Sequence, residues 1–249
     1  MENSGRSVIG KGLKKGLRFL GILLIIVFAT WLFKAVLFSV YYIPSGSMLP
    51  TLHVGDYVLV TKFPYNLRTP EYYPLTAVPF PYYATDGLGQ VRRGDIVVFD
   101  LPLFPAKVHP SEREDYIKRV VGLPGDTLIL SKSRYYLQQN NFSAISKDLS
   151  DIALPIPKRG AWIELADSTK RFWESILIRD GNSLEYDSLD NVLVNGMKKS
   201  EYQLRQNYYF VQGDNRRFSA DSRSWGLVPE SYLIGRAGLV IWPWPPKWL

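Results

Sequence analysis

Gly94-Asp95-Ile96-Val97-Val98-Phe99 is a turn-forming pair followed at once by four apolar residues that favour strands, and its reading decides what kind of fold follows. A Gly-Asp pair favours a tight turn, so the run reads as a strand entered through that turn. The same punctuation recurs: Gly55-Asp56 precedes Tyr57-Val58-Leu59-Val60, and Gly125-Asp126 precedes Thr127-Leu128-Ile129-Leu130. Asn191-Val192-Leu193-Val194 and Ala237-Gly238-Leu239-Val240-Ile241-Trp242 are further runs of this kind. No extended apolar stripe with a 3.6-residue period occurs after residue 43, so this part is expected to be mainly β. Phe63 to Arg92, rich in Pro and Tyr, and Leu101 to Asp115 are expected as exposed excursions. Residues 127–207, with weaker strand patterns such as Ser175-Ile176-Leu177-Ile178, read as an insertion.

Upstream, LRFLGILLIIVFATWLFKAVLFSVYYI runs from Leu17 to Ile43, with no charge between Phe19 and Phe33. A helix needs about 20 residues to cross the hydrocarbon, so this stretch reads as a transmembrane anchor. Lys34 can snorkel towards headgroups beside Trp31, Tyr41 and Tyr42. The basic residues lie before the run, which predicts a cytoplasmic N-terminus and places everything after Tyr42 across the membrane. A cleaved signal peptide fits less well, because bulky Leu37, Phe38, Val40 and Tyr41 stand where small residues should follow the apolar stretch.

The formal charge is +7, but Arg6, Lys11, Lys14, Lys15 and Arg18 against Glu2 supply most of it, leaving +3 for the rest. That local excess gives no nucleic-acid surface. Without cysteine there is no disulfide framework, thiolate nucleophile or sulfur-ligated zinc. The tail Trp242-Pro243-Trp244-Pro245-Pro246-Lys247-Trp248 either touches the membrane interface or caps a sheet edge.

Directly after the apolar run, Ile43-Pro44-Ser45-Gly46-Ser47-Met48-Leu49-Pro50-Thr51-Leu52 holds Ser47 in a segment unsuited to helix, where its hydroxyl can face outward. An activated serine needs a base. His53 and His109 are the chain's two histidines, and both read as ordinary turn or loop residues; without HExxH they also argue against a zinc enzyme. A desolvated lysine is the alternative. In Asp115-Tyr116-Ile117-Lys118-Arg119-Val120-Val121, strand alternation puts Lys118 on one face with Tyr116 and Val120. Burial there could make the amine neutral, at about 4 kcal/mol for a drop to near pH 7.5. A third cluster, Gln212-Gly213-Asp214-Asn215-Arg216-Arg217-Phe218-Ser219-Ala220-Asp221-Ser222-Arg223-Ser224-Trp225-Gly226, offers carboxylate–guanidinium pairs and a serine, Ser219, able to orient a buried amine.

Together these segments resemble the bacterial type I signal peptidases, membrane-anchored serine endopeptidases with a Ser/Lys dyad. Ser45-Gly46-Ser47-Met48-x-Pro50-Thr51-Leu52 with Gly55-Asp56 resembles the nucleophile segment, and Gly94-Asp95-Ile96-Val97-Val98-Phe99 the family's strand. Tyr116 to Asp126 resembles the lysine segment, and Gly213 to Gly226 the last family box. The resemblance implies Ser47 as nucleophile, Lys118 as base, the Ser47 N–H and Ser45 hydroxyl as oxyanion donors, and Ser219 holding Lys118. Asp221 with Arg223 and Asp214 with Arg119 are then supporting pairs. Ile43, Pro44, Met48, Leu52, Tyr116 and Ile117 are candidate lining for two shallow pockets that accept Ala-x-Ala-like sites of exported preproteins. Arg217 and Phe218 depart from the family's commoner acidic or small polar residues, and one membrane segment stands where many relatives have two.

The expected architecture is a basic cytoplasmic N-terminus (1–16), a transmembrane anchor (17–42), an antiparallel, barrel-like catalytic core (43–126 and 208–249) and an inserted second β-rich domain (127–207). No metal or cofactor is expected. The expected partners are signal-peptide-bearing preproteins and membrane lipid, not nucleic acid, with the catalytic part outside a bacterial cytoplasmic membrane. Two other readings compete: an inactive anchored β module that binds exported chains by strand addition, and a soluble Ser/Lys self-cleaving regulator, which the anchor disfavours.

Overall fold

The computed structural model describes residues 4–63, 65, 67–69, 72–73, 76–81, 83–85, 89–101, 114–131, 134–138, 152–165, 170–188 and 191–249. The long first helix, α1 (Ser4–Leu37), contains an apolar span, Lys15–Phe33, of mean hydropathy 2.2 with none of it buried. Its 19 residues rise about 29 Å at 1.5 Å each, about the thickness of a bilayer's hydrocarbon. Helix then gives way to strand without a break. β1 (Phe38–Tyr42), part of the stretch read from sequence as anchor, pairs antiparallel with β2 (Tyr57–Thr61) from Phe38↔Thr61 to Tyr42↔Tyr57. Lys62 N–H closes the junction by donating to the Leu37 carbonyl at 2.9 Å.

The main sheet continues with β3 (Ile96–Asp100), β4 (Asp115–Gly122), β5 (Tyr208–Gln212), β6 (Val228–Pro229), β7 (Leu233–Trp242) and β8 (Lys247–Trp248). Its order is β1-β2-β7-β3-β4-β5-β6, every pairing is antiparallel, and β8 pairs with β7. Three register shifts in β7 bend the sheet along its longest strand. Ile96 and Val98 pack into one buried cluster with Met48, Leu52, Val58 and Val60, whereas Val97 and Phe99 pack into another with Val120, Tyr209, Val211 and Tyr232. β3 is therefore covered on both faces, which explains why Ile96-Val97-Val98-Phe99 lacks polar alternation.

The three Gly-Asp pairs build one turn three times. Gly55, Gly94 and Gly125 lie at φ +99, +94 and +93, a region that disfavours any side chain. In each turn the following aspartate accepts the backbone N–H three residues before it: His53 to Asp56 at 2.8 Å, Arg92 to Asp95 at 2.9 Å and Leu123 to Asp126 at 2.6 Å.

Within residues 127–207, the described residues differ from the sequence reading at one stretch. Ser175-Ile176-Leu177-Ile178 lies in a helix, α2 (Lys170–Arg179), not a strand. Trp173, Ile176 and Leu177 are buried, spaced three and four apart, and Ile178 faces solvent. These side chains share one core with Tyr208, Phe210 and Leu227, so α2 and β5 contribute to the same core. The 63–92 excursion is also more than surface. Tyr65 is buried and donates to Asp95 at 2.7 Å, and buried Arg68 pairs with buried Asp100 at 3.1 Å. Most of the 101–115 excursion lies outside the described residues. In the tail, Lys247 and Trp248 add a short ladder to β7 while Trp242, Trp244 and Trp248 keep exposed rings.

Candidate active site

Ser47 sits in a single 3-10 turn, Gly46–Met48, within a loop closed at its base by Ile43 N–H to Asp56 O and Gly55 N–H to Ile43 O, each 2.9 Å. Met48 and Leu52 have no exposed surface and fasten this loop to the core. The turn lays Ser47, 7% exposed, against the middle of β4.

Lys118 extends from β4 opposite Val97 and is 3% exposed. Its Nζ lies 3.0 Å from Ser47 Oγ and 2.8 Å from the Ile117 carbonyl, and 5.4 Å from the centre of the Tyr116 ring. That neighbourhood offers the ammonium little to replace water. Burial lowers the Lys118 pKa from its ordinary 10.5 to about 8, against the opposing pull of the Asp221 charge. Ser45 Oγ donates to Ser47 Oγ at 3.3 Å.

The loop after β5 completes the cluster. Asp214 receives a two-pronged contact from Arg119, Nε to Oδ1 at 2.8 Å and Nη2 to Oδ2 at 2.7 Å, and also accepts from Thr51 Oγ1. Burial pushes the Asp214 carboxyl upward, but these hydrogen bonds outweigh it and hold the pKa below the ordinary value. Asp221, fully buried, caps the short helix α3 (Ser222–Trp225). It accepts from Arg223 Nε and Nη2, both at 2.8 Å, and from Gly213 N–H at 3.1 Å, and these donors likewise override burial to lower its pKa. Both ion pairs expected from sequence are present: Arg119 with Asp214 ties the loop to β4, whereas Asp221 with Arg223 braces the loop internally.

Other expected residues take different positions. Ser219 makes no hydrogen bond to Lys118: its buried Oγ rests directly over Gly213 and helps the other donors hold the Asp221 pKa down. Met48 and Leu52, and nearly so Ile43, are sealed in the core and shape the site from behind, leaving exposed Pro44 and half-buried Tyr116 and Ile117 as the apolar residues with accessible surface. His53 is an exposed turn residue, its ring 63% accessible, and His109 lies outside the described residues. Asn215, given no role in the sequence reading, donates its backbone N–H to Ser47 O and its Nδ2 to Gly46 O, each at 3.0 Å.

Comparison with known proteins gives this constellation a family. The family model described as signal peptidase, peptidase S26, matches residues 16–242. Signal peptidase I of Buchnera aphidicola subsp. Schizaphis graminum is 33% identical over 236 residues, covering 84% of this chain and 70% of its own. That of Pseudomonas aeruginosa is 32% identical over 233 residues, covering 89% and 71%. Among solved structures, signal peptidase I of Enterococcus faecalis is 22% identical and covers 60% of this chain and 98% of its own with a TM-score of 0.27; the fold stated above rests on this chain's own strand pairing. With nearly the whole length matched, the chain belongs to the signal peptidase family, peptidase S26, and is a serine endopeptidase.

Proposed function

We propose that this protein is a membrane-anchored peptidase that removes N-terminal signal peptides from exported preproteins through a Ser47/Lys118 acyl-enzyme mechanism. The observation that carries this reading is the 3.0 Å approach of the buried Lys118 amine to Ser47 Oγ. Neutral Lys118 takes the hydroxyl proton as Ser47 Oγ bonds to the scissile carbonyl carbon. The carbonyl oxygen becomes an oxyanion, for which the resemblance implies the Ser47 N–H and the Ser45 hydroxyl as donors. When the C–N bond breaks, the Lys118 ammonium returns the proton to the leaving amine. Water, deprotonated by Lys118, then attacks the ester, and the departing Ser47 oxygen regains its proton.

The anchor supplies the address. Basic residues precede the apolar span, favouring a cytoplasmic N-terminus with the β part outside the bacterial cytoplasmic membrane. Ser47 follows the end of α1 by ten residues, so the site stays near the bilayer that holds its substrates. An extended peptide sends the first and third residues before the scissile bond to the same side, where shallow pockets favour small-x-small sequences.

The test is cleavage of a preprotein with an Ala-x-Ala site by the full chain in lipid, with the new N-terminus sequenced. Ser47→Ala should leave the preprotein intact; normal cleavage by that variant would eliminate Ser47 as nucleophile. Gly213→Ala is expected to lower kcat/KM at least about tenfold, because a Cβ would fall on Ser219 Oγ and 2.5 Å from the Ser47 carbonyl oxygen. Backbone oxygen cannot move aside without moving Ser47. Unchanged steady-state kinetics would show that the loop has slack.

A further inference from the structure

Ser47 has two flanking peptide planes, and one residue holds both. The plane before it carries the Gly46 carbonyl and the Ser47 N–H; the plane after it carries the Ser47 carbonyl and the Met48 N–H. Asn215 Nδ2 donates to the first carbonyl and Asn215 N–H to the second, each at 3.0 Å. Gly46 O is also the acceptor of Leu49 N–H at 3.2 Å, the turn's own bond, so Asn215 adds an external brace to an internal one. A carbonyl accepts only, which fixes the Asn215 amide with its nitrogen towards Gly46.

A trans peptide is planar, so the direction of the Gly46 carbonyl dictates the opposite direction of the Ser47 N–H. Fixing both planes also sets the backbone angles of Ser47 and hence the path of its side chain towards Lys118. We infer that Asn215 is a positioning residue for acyl transfer, bracing the nucleophile turn so that the Ser47 N–H aims at the developing oxyanion while the hydroxyl meets the amine. The inference rests on the Ser47/Lys118 reading above. Its neighbour Asp214 grips Thr51 further along the same loop, so consecutive residues hold the turn on both sides of Met48. Asn215 touches neither Lys118 nor Ser47 Oγ by hydrogen bond, so it has no part in the proton transfer itself.

The experiment uses the full chain in lipid with Asn215→Ala and Asn215→Asp. The second keeps shape and backbone N–H but turns a carboxylate oxygen towards Gly46 O. Both are expected to lower kcat about 10- to 100-fold, less than outright loss of an oxyanion donor, with KM within about twofold of the unmodified protein. The pH midpoint of kcat/KM should stay in place, because the base is untouched. A peptide boronic acid ending in alanine, which forms a tetrahedral adduct on the serine, should lose affinity in step with kcat, while an uncleavable substrate peptide should not. A kcat within threefold of normal in both variants overturns the inference. So does a parallel loss of boronate and substrate-peptide affinity, the mark of general loosening. Cleavage by Ser47→Ala would instead remove the nucleophile on which the inference stands, whatever the Asn215 variants show.

Discussion

Lys118→Met is expected to lower kcat/KM by about a thousandfold or more, because methionine keeps the length of the side chain and removes the one group that, among the described residues, is placed to take the Ser47 proton. Lys118→Arg should fail comparably, since a guanidinium stays protonated at any working pH. That variant separates the role of base from the role of positive charge. The unmodified protein should gain kcat/KM as pH rises through about 8, where burial places the Lys118 titration. At pH 7 only about a tenth of the molecules then carry the neutral amine. Combining Ser47→Ala with Lys118→Met should lose no more than either change alone, because the two groups act in one step. Activity of Lys118→Met within tenfold of normal, or an alkaline rise that survives the substitution, would remove Lys118 as the base.

The strands were legible where their signal is local. A Gly-Asp pair encodes both the positive φ of the turn and the carboxylate that closes it, within four residues, and all three pairs fold that way. Hydropathy alone is blind to backbone angles. It ran unbroken from α1 through Phe38–Tyr42, although the last five residues are a strand, because both elements there are apolar and aromatic. Ser175–Ile178 shows the same weakness: four residues are too short to separate a period of 2 from 3.6, and only the burial of Trp173 with Ile176 and Leu177 reveals the helix. The anchoring of the 63–92 excursion by Tyr65 and Arg68 depends on partners some 30 residues away.

At the site, side chains of matching charge were readable. Asp221 and Arg223 lie two residues apart, and Arg119 and Asp214, though 95 apart, announce themselves as opposite charges in the two polar segments. Asn215 was not, because its targets are backbone carbonyls, which every residue possesses and no sequence distinguishes. Ser219 stands between these cases. Its residue type suits a lysine partner, but its hydroxyl rests over Gly213 and acts on the Asp221 carboxylate, a neighbourhood that residue type alone does not specify.

Removing the Lys118 charge should stabilise the fold at neutral pH, the second large effect. The folded pKa is lowered, from 10.5 to about 8, so between those values the unfolded chain holds a proton that the folded chain has released. Stability therefore rises with pH across that window and is lowest, as far as Lys118 is concerned, below it. The gap corresponds to about 3 kcal/mol of destabilisation at pH 7. Methionine relieves it but forfeits the contacts of Nζ with Ser47 Oγ and the Ile117 carbonyl. Lys118→Met is thus expected to be more stable than the unmodified protein by about 1–3 kcal/mol at pH 7, with the difference falling by about 3 kcal/mol towards pH 10.5, where the lost contacts leave it level with the unmodified protein or below it. Urea unfolding of the detergent-solubilised full chain at both pH values reads this directly, and subtracting one protein from the other cancels the titrations they share. An inactive variant that is also more stable would mean that the fold sustains a buried amine against its own stability, as expected when burial is what makes lysine a base. A less stable Lys118→Met at pH 7 would mean that the amine is held by favourable contacts instead, and its depressed titration would need another cause.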